Sequence, residues 1–292
     1  MKTKLFSLAA LALSLGCICA SAQTASSLFW RADSIQVNEI VSQEAVQYQR
    51  VGHHGPAVEN SHMALRVYFN DSGAIDIYSK SGEQMELMKY HWYPTVKQQA
   101  EEGAGCDEYL VGKTVGPGGI ALWDGKEEIK LVATKGRTAR AGKTPKGSYA
   151  EIISYGVMYK GEPVDISVRV DVFDGSREAR VTATELNGKK VQFLTGVNYH
   201  PGETLDQGRK YVAVWGVHPS DVSQNPIPLG AGLRFKPRKF GPVETTENML
   251  RIISKPAKSI TTTVVAASTK EKTLCDQARF FAYMKNPRKA VK

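Results

Sequence analysis

Apolar and polar residues alternate most regularly between residues 147 and 200. Val164, Ile166, Val168, Val170 and Val172 interleave with Asp165, Ser167, Arg169 and Asp171, the period of two that marks a strand with one buried face. Similar runs at 149–159, 177–186 and 190–199 are joined to it by Lys160-Gly161-Glu162-Pro163, Asp174-Gly175 and Asn187-Gly188. The last two pairs favour positive φ and close hairpins, so the pattern predicts a four-stranded antiparallel meander. Upstream, 34–41 and 44–50 read as edge strands and His53-His54-Gly55-Pro56 as a loop. The runs 63–69 and 74–79 flank Asn70-Asp71-Ser72-Gly73 and predict a hairpin. Residues 84–90 suggest a helical turn that Trp92-Tyr93-Pro94 must end.

Between 103 and 125 glycine is frequent and separates two strand-like runs, 109–115 and 120–123. Another short run, 129–133, leads into a basic, acid-free stretch, 135–146, which reads as a surface loop. Further strands are predicted at 211–218, 232–235, 249–254 and 260–267. Only 270–284 has helical spacing, with Leu274, Ala278, Phe281 and Met284 on one stripe. Many strands, one terminal helix and no strand–helix alternation predict an all-β protein: a large antiparallel β-sandwich with one C-terminal helix. With no repeat and no linker, residues 23–292 read as a single domain.

Residues 1–22 have a different pattern. Lys2 and Lys4 precede an apolar stretch, and Ala20-Ser21-Ala22 offers a small-residue cleavage site, the layout of a secretory signal peptide. Lipoprotein processing at Cys17 is the rival reading, with Ser14 where such a box usually has Leu. The expected location is periplasmic or secreted, with no stable membrane insertion, because the apolar run is too short to span a bilayer. The formal net charge is +9, and two of those charges leave with Lys2 and Lys4. Without basic runs interleaved with aromatics this does not point to nucleic acid. A mild positive field suits an acidic oligosaccharide or polysaccharide, and it is equally the ordinary solubility charge of an exported protein. Cys106 and Cys275 remain after cleavage and read as two unpaired thiols. Their spacing holds no zinc-site pattern, so no metal is expected, and nothing specifies a cofactor.

The order of short motifs resembles domain-of-unknown-function family 4861. The likeness runs through Glu59-Asn60, Arg66-Val67-Tyr68, Ile75-Asp76-Ile77-Tyr78 and Trp92-Tyr93. It continues in Gly105-Cys106-Asp107-Glu108-Tyr109, Val111-Gly112-Lys113 and Gly116-Pro117-Gly118-Gly119. It spans roughly residues 38–284. Where the family often has Cys within the Gly-x-Gly-Gly turn this chain has Pro117, so any role of that Cys does not transfer. The resemblance implies a galactose-mutarotase-like β-supersandwich and a place among secreted proteins encoded beside enzymes that degrade uronate-containing glycans. It implies no established reaction.

Three groups of residues suit carbohydrate chemistry. Arg66, with Glu59, Asn60 and His62, offers a guanidinium fork for a uronate carboxylate, or a structural ion pair with Glu59 or Asp76. On a strand, Asp107, Tyr109 and Lys113 share a face and suit sugar binding or proton transfer, or a cross-strand salt bridge beside a core tyrosine. His200, in Asn198-Tyr199-His200-Pro201, is the best single base candidate because imidazole titrates near neutrality; a turn histidine bonded to backbone is the plain alternative. Trp92 and Trp123 suit stacking on sugar rings. The expected catalytic residues are therefore His200, Tyr109 and Asp107, and the expected substrate contacts Arg66, Lys113, Glu59, Asp76, Trp92 and Trp123. The leading expectation is a lyase or hydrolase acting on uronate-containing oligosaccharides. The alternatives are a non-catalytic glycan-binding protein and a sugar epimerase.

Overall fold

The computed structural model describes residues 23–44, 47–91, 93–219 and 226–287. The expected signal segment, Trp92 and the basic tail with Arg288, Lys289 and Lys292 lie outside these residues. Among the described residues no helix is long and apolar enough to cross a membrane. The protein is an all-β sandwich of antiparallel sheets. The largest has nine strands in the order Thr204–Gly208, Tyr211–Gly216, Leu229–Arg234, Ser259–Ser268, Ala179–Glu185, Glu162–Phe173, Gly147–Tyr159, Arg137–Thr144 and Glu39–Ser42. Two five-stranded sheets pack against it. One runs Ala25–Ser27, Ala57–Glu59, Ala64–Val67, Ile75–Ser79 and Cys106–Asp107. The other runs Phe240–Thr245, Met249–Ser254, Phe193–Asn198, Ala121–Trp123 and Glu128–Ile129. One large apolar cluster, from Leu28 to Ala266, draws on all three sheets, and three smaller ones flank it.

The alternating valines of Glu162–Phe173 are all buried, as the period of two requires. Its hairpin with Gly147–Tyr159 closes on Lys160 and Gly161 alone, both at positive φ (51° and 83°), which is the primed two-residue turn that matches strand twist. Glu162 and Pro163 lie inside the strand, at its start, where proline's missing N–H does least harm. The meander holds for three strands only. After Asn187-Gly188 the chain leaves the large sheet, and Phe193–Asn198 pairs with Met249–Ser254 in a smaller one. The basic stretch taken for a loop is the strand Arg137–Thr144, paired along its length with Gly147–Tyr159. Conversely, residues 48–50, within the run 44–50, form a turn, and the run 109–115 is not a strand; the short strand there is Cys106–Asp107.

Among the described residues there are two α-helices rather than one. Val96–Glu101 starts at a capping box between Thr95 and Gln98. The terminal helix Gln277–Lys285 is shorter than predicted and turned, burying Phe280, Tyr283 and Met284 rather than Ala278 and Phe281. Gly230 and Gly232 leave the room on the sheet that Phe280 and Met284 occupy. No disulfide joins Cys106 and Cys275.

All three sheets meet at Gly116-Pro117-Gly118-Gly119. Just before it, the Val115 carbonyl accepts the Ile75 N–H, and within it the Gly118 N–H donates to Gly196. Gly118 sits at φ +76° against Val264, where a Cβ would collide with the valine methyl. Gly118→Ala should therefore combine left-handed strain with overpacking and lower stability by about 2–4 kcal/mol. Urea denaturation checks this, and an unchanged midpoint would show that the turn does not join the sheets.

Candidate functional site

In the first five-stranded sheet the alternation is Val58, Leu65, Val67, Ile75 and Ile77 on one face and Glu59, Arg66, Asp76 and Tyr78 on the other. The apolar face belongs to the main core. The polar face is buried too, beneath residues 80–91 and 93–105. Arg66, Asp76 and Glu59 each have an exposure of 0 %, so each must find its partner inside the protein.

Arg66 and Asp76 stand directly opposite each other on neighbouring strands, and Asp107 is opposite Tyr78, one diagonal step along. The Arg66 Nη2 atom consequently contacts Asp76 Oδ2 and lies 2.6 Å from Asp107 Oδ2. Tyr68, two residues after Arg66 and thus on its face, donates its hydroxyl to Asp76 Oδ2 at 2.5 Å. Burial, and then the neighbouring Asp107, pushes the Asp76 carboxyl up, while Arg66, Tyr68 and the Ile77 N–H pull it down. The two carboxylates hold the Arg66 guanidinium protonated despite its burial. Asp107 Oδ1 is buried without a hydrogen-bond partner among the described residues.

Asp107 borders a cavity of about 390 Å³ lined also by Tyr48, His54, Tyr68, Tyr93, Glu108 and Tyr109, a volume in the small-ligand range. None of the described lining residues is Lys or Arg. His54 was read as a loop residue, yet it is the best-positioned imidazole. His53 and His54 both take left-handed backbone angles, φ 54° and 62°, a strain more often kept where a side chain must be aimed. His54 Nδ1 lies 3.0 Å from the Tyr48 carbonyl and Nε2 lies 2.9 Å from the Tyr93 hydroxyl. A carbonyl only accepts, so Nδ1 carries the proton, and in the neutral ring Nε2 accepts from Tyr93. The ring stacks on Tyr48 at 3.7 Å, and the Arg66 guanidinium lies 5.5 Å from the Tyr93 ring centre. Burial raises the Tyr93, Tyr68 and Tyr48 phenols, with Arg66 opposing it in each case. All three phenols therefore hold their protons at neutral pH.

The opposite wall is the chain from Tyr109 to Gly112, fixed from behind. The Tyr109 hydroxyl donates to Asn198 Oδ1 at 2.6 Å. The Leu110 carbonyl accepts from Asn198 Nδ2 and His200 Nε2, each at 2.9 Å, while its N–H donates to His218 Nδ1 at 3.0 Å. His218 Nε2 lies 3.2 Å from Glu203 Oε1. Burial lowers His218 to about 3 and raises Glu203 to about 7, so both favour their neutral forms.

Of the residues expected from sequence, the structure gathers Asp107 and Tyr109 at the cavity, with Arg66 and Asp76 directly beneath. His200 stands behind the wall as a positioning group, its Nε2 proton committed to Leu110. Lys113 is exposed on the turn after Gly112, because 109–115 is not the strand that would have aimed it. Glu59 is structural: it accepts from Lys80 Nζ at 2.9 Å and from the backbone of Glu86 and Leu87. Asn60 caps the turn at His62 and Met63, and His62 lies away from the cavity. Trp123 belongs to the other small sheet, with Arg251 over its ring at 4.8 Å. Sequence reasoning passed over His54, Tyr48 and Tyr68. Only Tyr68 left a signal, its i, i+2 spacing from Arg66.

The chain belongs to the family described as Domain of unknown function (DUF4861), whose model matches residues 21–292. No curated protein matches it.

Two outcomes test the assignment of structural roles. Glu59→Ala strands Lys80 and two backbone N–H groups and should cost about 3–5 kcal/mol, read as a lower denaturation midpoint; an unchanged midpoint contradicts the structural role. Glu203, raised in the fold from 4.5 to about 7, contributes stability that is present below pH 4.5 and lost as pH rises through 7. Relative to Glu203→Gln, the wild type should therefore lose stability between pH 4.5 and 7. A constant difference across that window would contradict the burial of Glu203.

Proposed function

We propose that the cavity is the active site of a carbohydrate-active enzyme that moves protons on one sugar unit, in a protein exported from the cytoplasm. The observation that carries this reading is the convergence of Asp107, with its unpartnered buried Oδ1, and the Tyr93–His54 pair on one cavity. Asp107, whose side chain borders the cavity, takes the proton from a sugar hydroxyl or from the attacking water. Tyr93 turns its hydroxyl from His54 Nε2 and gives its proton to the departing or ring oxygen, and the Arg66 guanidinium beside its ring steadies the negative charge left on the phenol. Tyr48, Tyr68 and Tyr109 supply amphipathic walls of the kind that flank sugar rings.

The expectation that Arg66 or Lys113 neutralises a uronate finds no support in this arrangement. Arg66 is shared by two carboxylates, Lys113 points elsewhere, and no described lining residue is cationic. A lining cation favours elimination beside a carboxylate, and the described lining of tyrosines and carboxylates suits hydrolysis or epimerisation more directly. The family resemblance to secreted proteins of glycan-degradation loci supports the substrate class.

The test is turnover of a panel of neutral and uronate-containing oligosaccharides, followed by new reducing ends, by absorbance of a new double bond and by change of optical rotation. Asp107→Asn and Tyr93→Phe should each lower kcat by a factor of about 10²–10⁴ with the fold retained by circular dichroism. Turnover that survives both substitutions would refute the assignment. Sugar binding without turnover in the wild type would favour a glycan-binding protein instead.

A further inference from the structure

The outer face of the large sheet carries a second feature, unconnected with the cavity. Arg180, Thr263 and Arg234 form one row across three adjacent strands, and Thr182 and Thr261 form the next. With Arg209, Lys210, Lys236, Arg238 and Lys239 from the flanking turns they line a groove of about 1120 Å³. No Asp or Glu lines it, and it shares no residue with the cavity. Arg234 is paired with Glu178 at 2.5 Å. None of the other six cations forms an ion pair with a described residue, and all six are exposed. A concentration of like charge without counter-charges costs self-repulsion that an anionic ligand would relieve.

A neighbouring hollow of about 510 Å³ shares Arg209, Phe235 and Pro237 with the groove and again contains no acid. The two together make an extended track rather than a pocket for a small ion. We propose that this track binds an anionic polysaccharide chain. The cations meet its carboxylate or sulfate groups, the arginines as bidentate forks, and the rows of threonine hydroxyls meet sugar hydroxyls. Single-stranded nucleic acid is the weaker fit, since it is held by exposed aromatic rings that stack on bases. The two aromatic rings lining the track, Phe235 and Phe240, are 8 % and 4 % exposed and pack on each other at 5.5 Å. A track of this kind, apart from the cavity, would keep a long chain attached while single units are processed.

Affinity electrophoresis and calorimetry with polygalacturonate at low and high salt test this on the full mature chain. The triple variant Lys236→Gln, Arg238→Gln, Lys239→Gln changes only exposed side chains. It should weaken binding at least tenfold and flatten its salt dependence. A control removing the same charge elsewhere, Lys126→Gln, Lys130→Gln, Lys160→Gln, should bind as the wild type does. Turnover of short neutral oligosaccharides should be unchanged in the Lys236, Arg238, Lys239 triple variant, which separates a failure of the track from a failure of the cavity assignment. Equal losses in the two triple variants would overturn the proposal. So would binding to neutral dextran as tight as to polygalacturonate, or tighter retention by single-stranded DNA or anionic vesicles.

Discussion

The site depends on one buried cation. Arg66 is shut off from water and stays charged only because Asp76 and Asp107 meet the same nitrogen from two neighbouring strands. Such a cluster is tolerable in a low-dielectric interior only if every charge is answered. Two carboxylates to one guanidinium leave an excess of negative charge, and Asp76 answers it by a carboxyl pushed toward its neutral form. Asp107 is thereby fixed in place with one oxygen committed and the other left over. The same requirement explains the covering segment, residues 80–91 and 93–105. Glu59 pins it through the N–H groups of Glu86 and Leu87, and Glu86 pins it again through Tyr78 and Gly105. Once buried, the polar face of a small sheet becomes a rigid floor for the cavity.

Much of the fold was legible because it rests on local rules. The period of two at 164–172 and the glycine turns at 161, 175 and 188 each need only neighbours in sequence, and they appear in the structure. What failed was non-local. Nothing in 190–199 says that this strand joins Met249–Ser254 instead of continuing the meander. The stretch 135–146 looked like a loop because its Lys and Arg residues suggest solvent. In the structure Arg140 is tied to Glu39 at 2.5 Å, and Arg137 lies buried against Asp71 at 2.9 Å.

The site was half legible for the same reason. Arg66, Asp76 and Asp107 lie in motifs close in sequence and on adjacent strands, so composition and spacing brought them forward. The polar positions of these strands face a covering segment rather than solvent, which the alternation by itself does not reveal. His54 could not be seen, because its importance comes from left-handed backbone angles and from Tyr48 and Tyr93, six residues before it and thirty-nine after. A histidine at a strand end such as His200 looks like a base until its Nε2–H is seen to donate to a backbone carbonyl. The separation of cavity and basic track also divides two properties that sequence reasoning had merged. Acid–base groups gather on one sheet and cationic groups on another, so anion recognition need not come from the residues that move protons.

The most direct test of this account is a crystal structure of the protein soaked with a monosaccharide or disaccharide that it binds. The account requires the sugar inside the cavity, with a hydroxyl donating to Asp107 Oδ1 and a ring or glycosidic oxygen within hydrogen-bond reach of the Tyr93 hydroxyl. A sugar bound only elsewhere, or a cavity holding ordered water that already satisfies Asp107 Oδ1 in the sugar's presence, would contradict it.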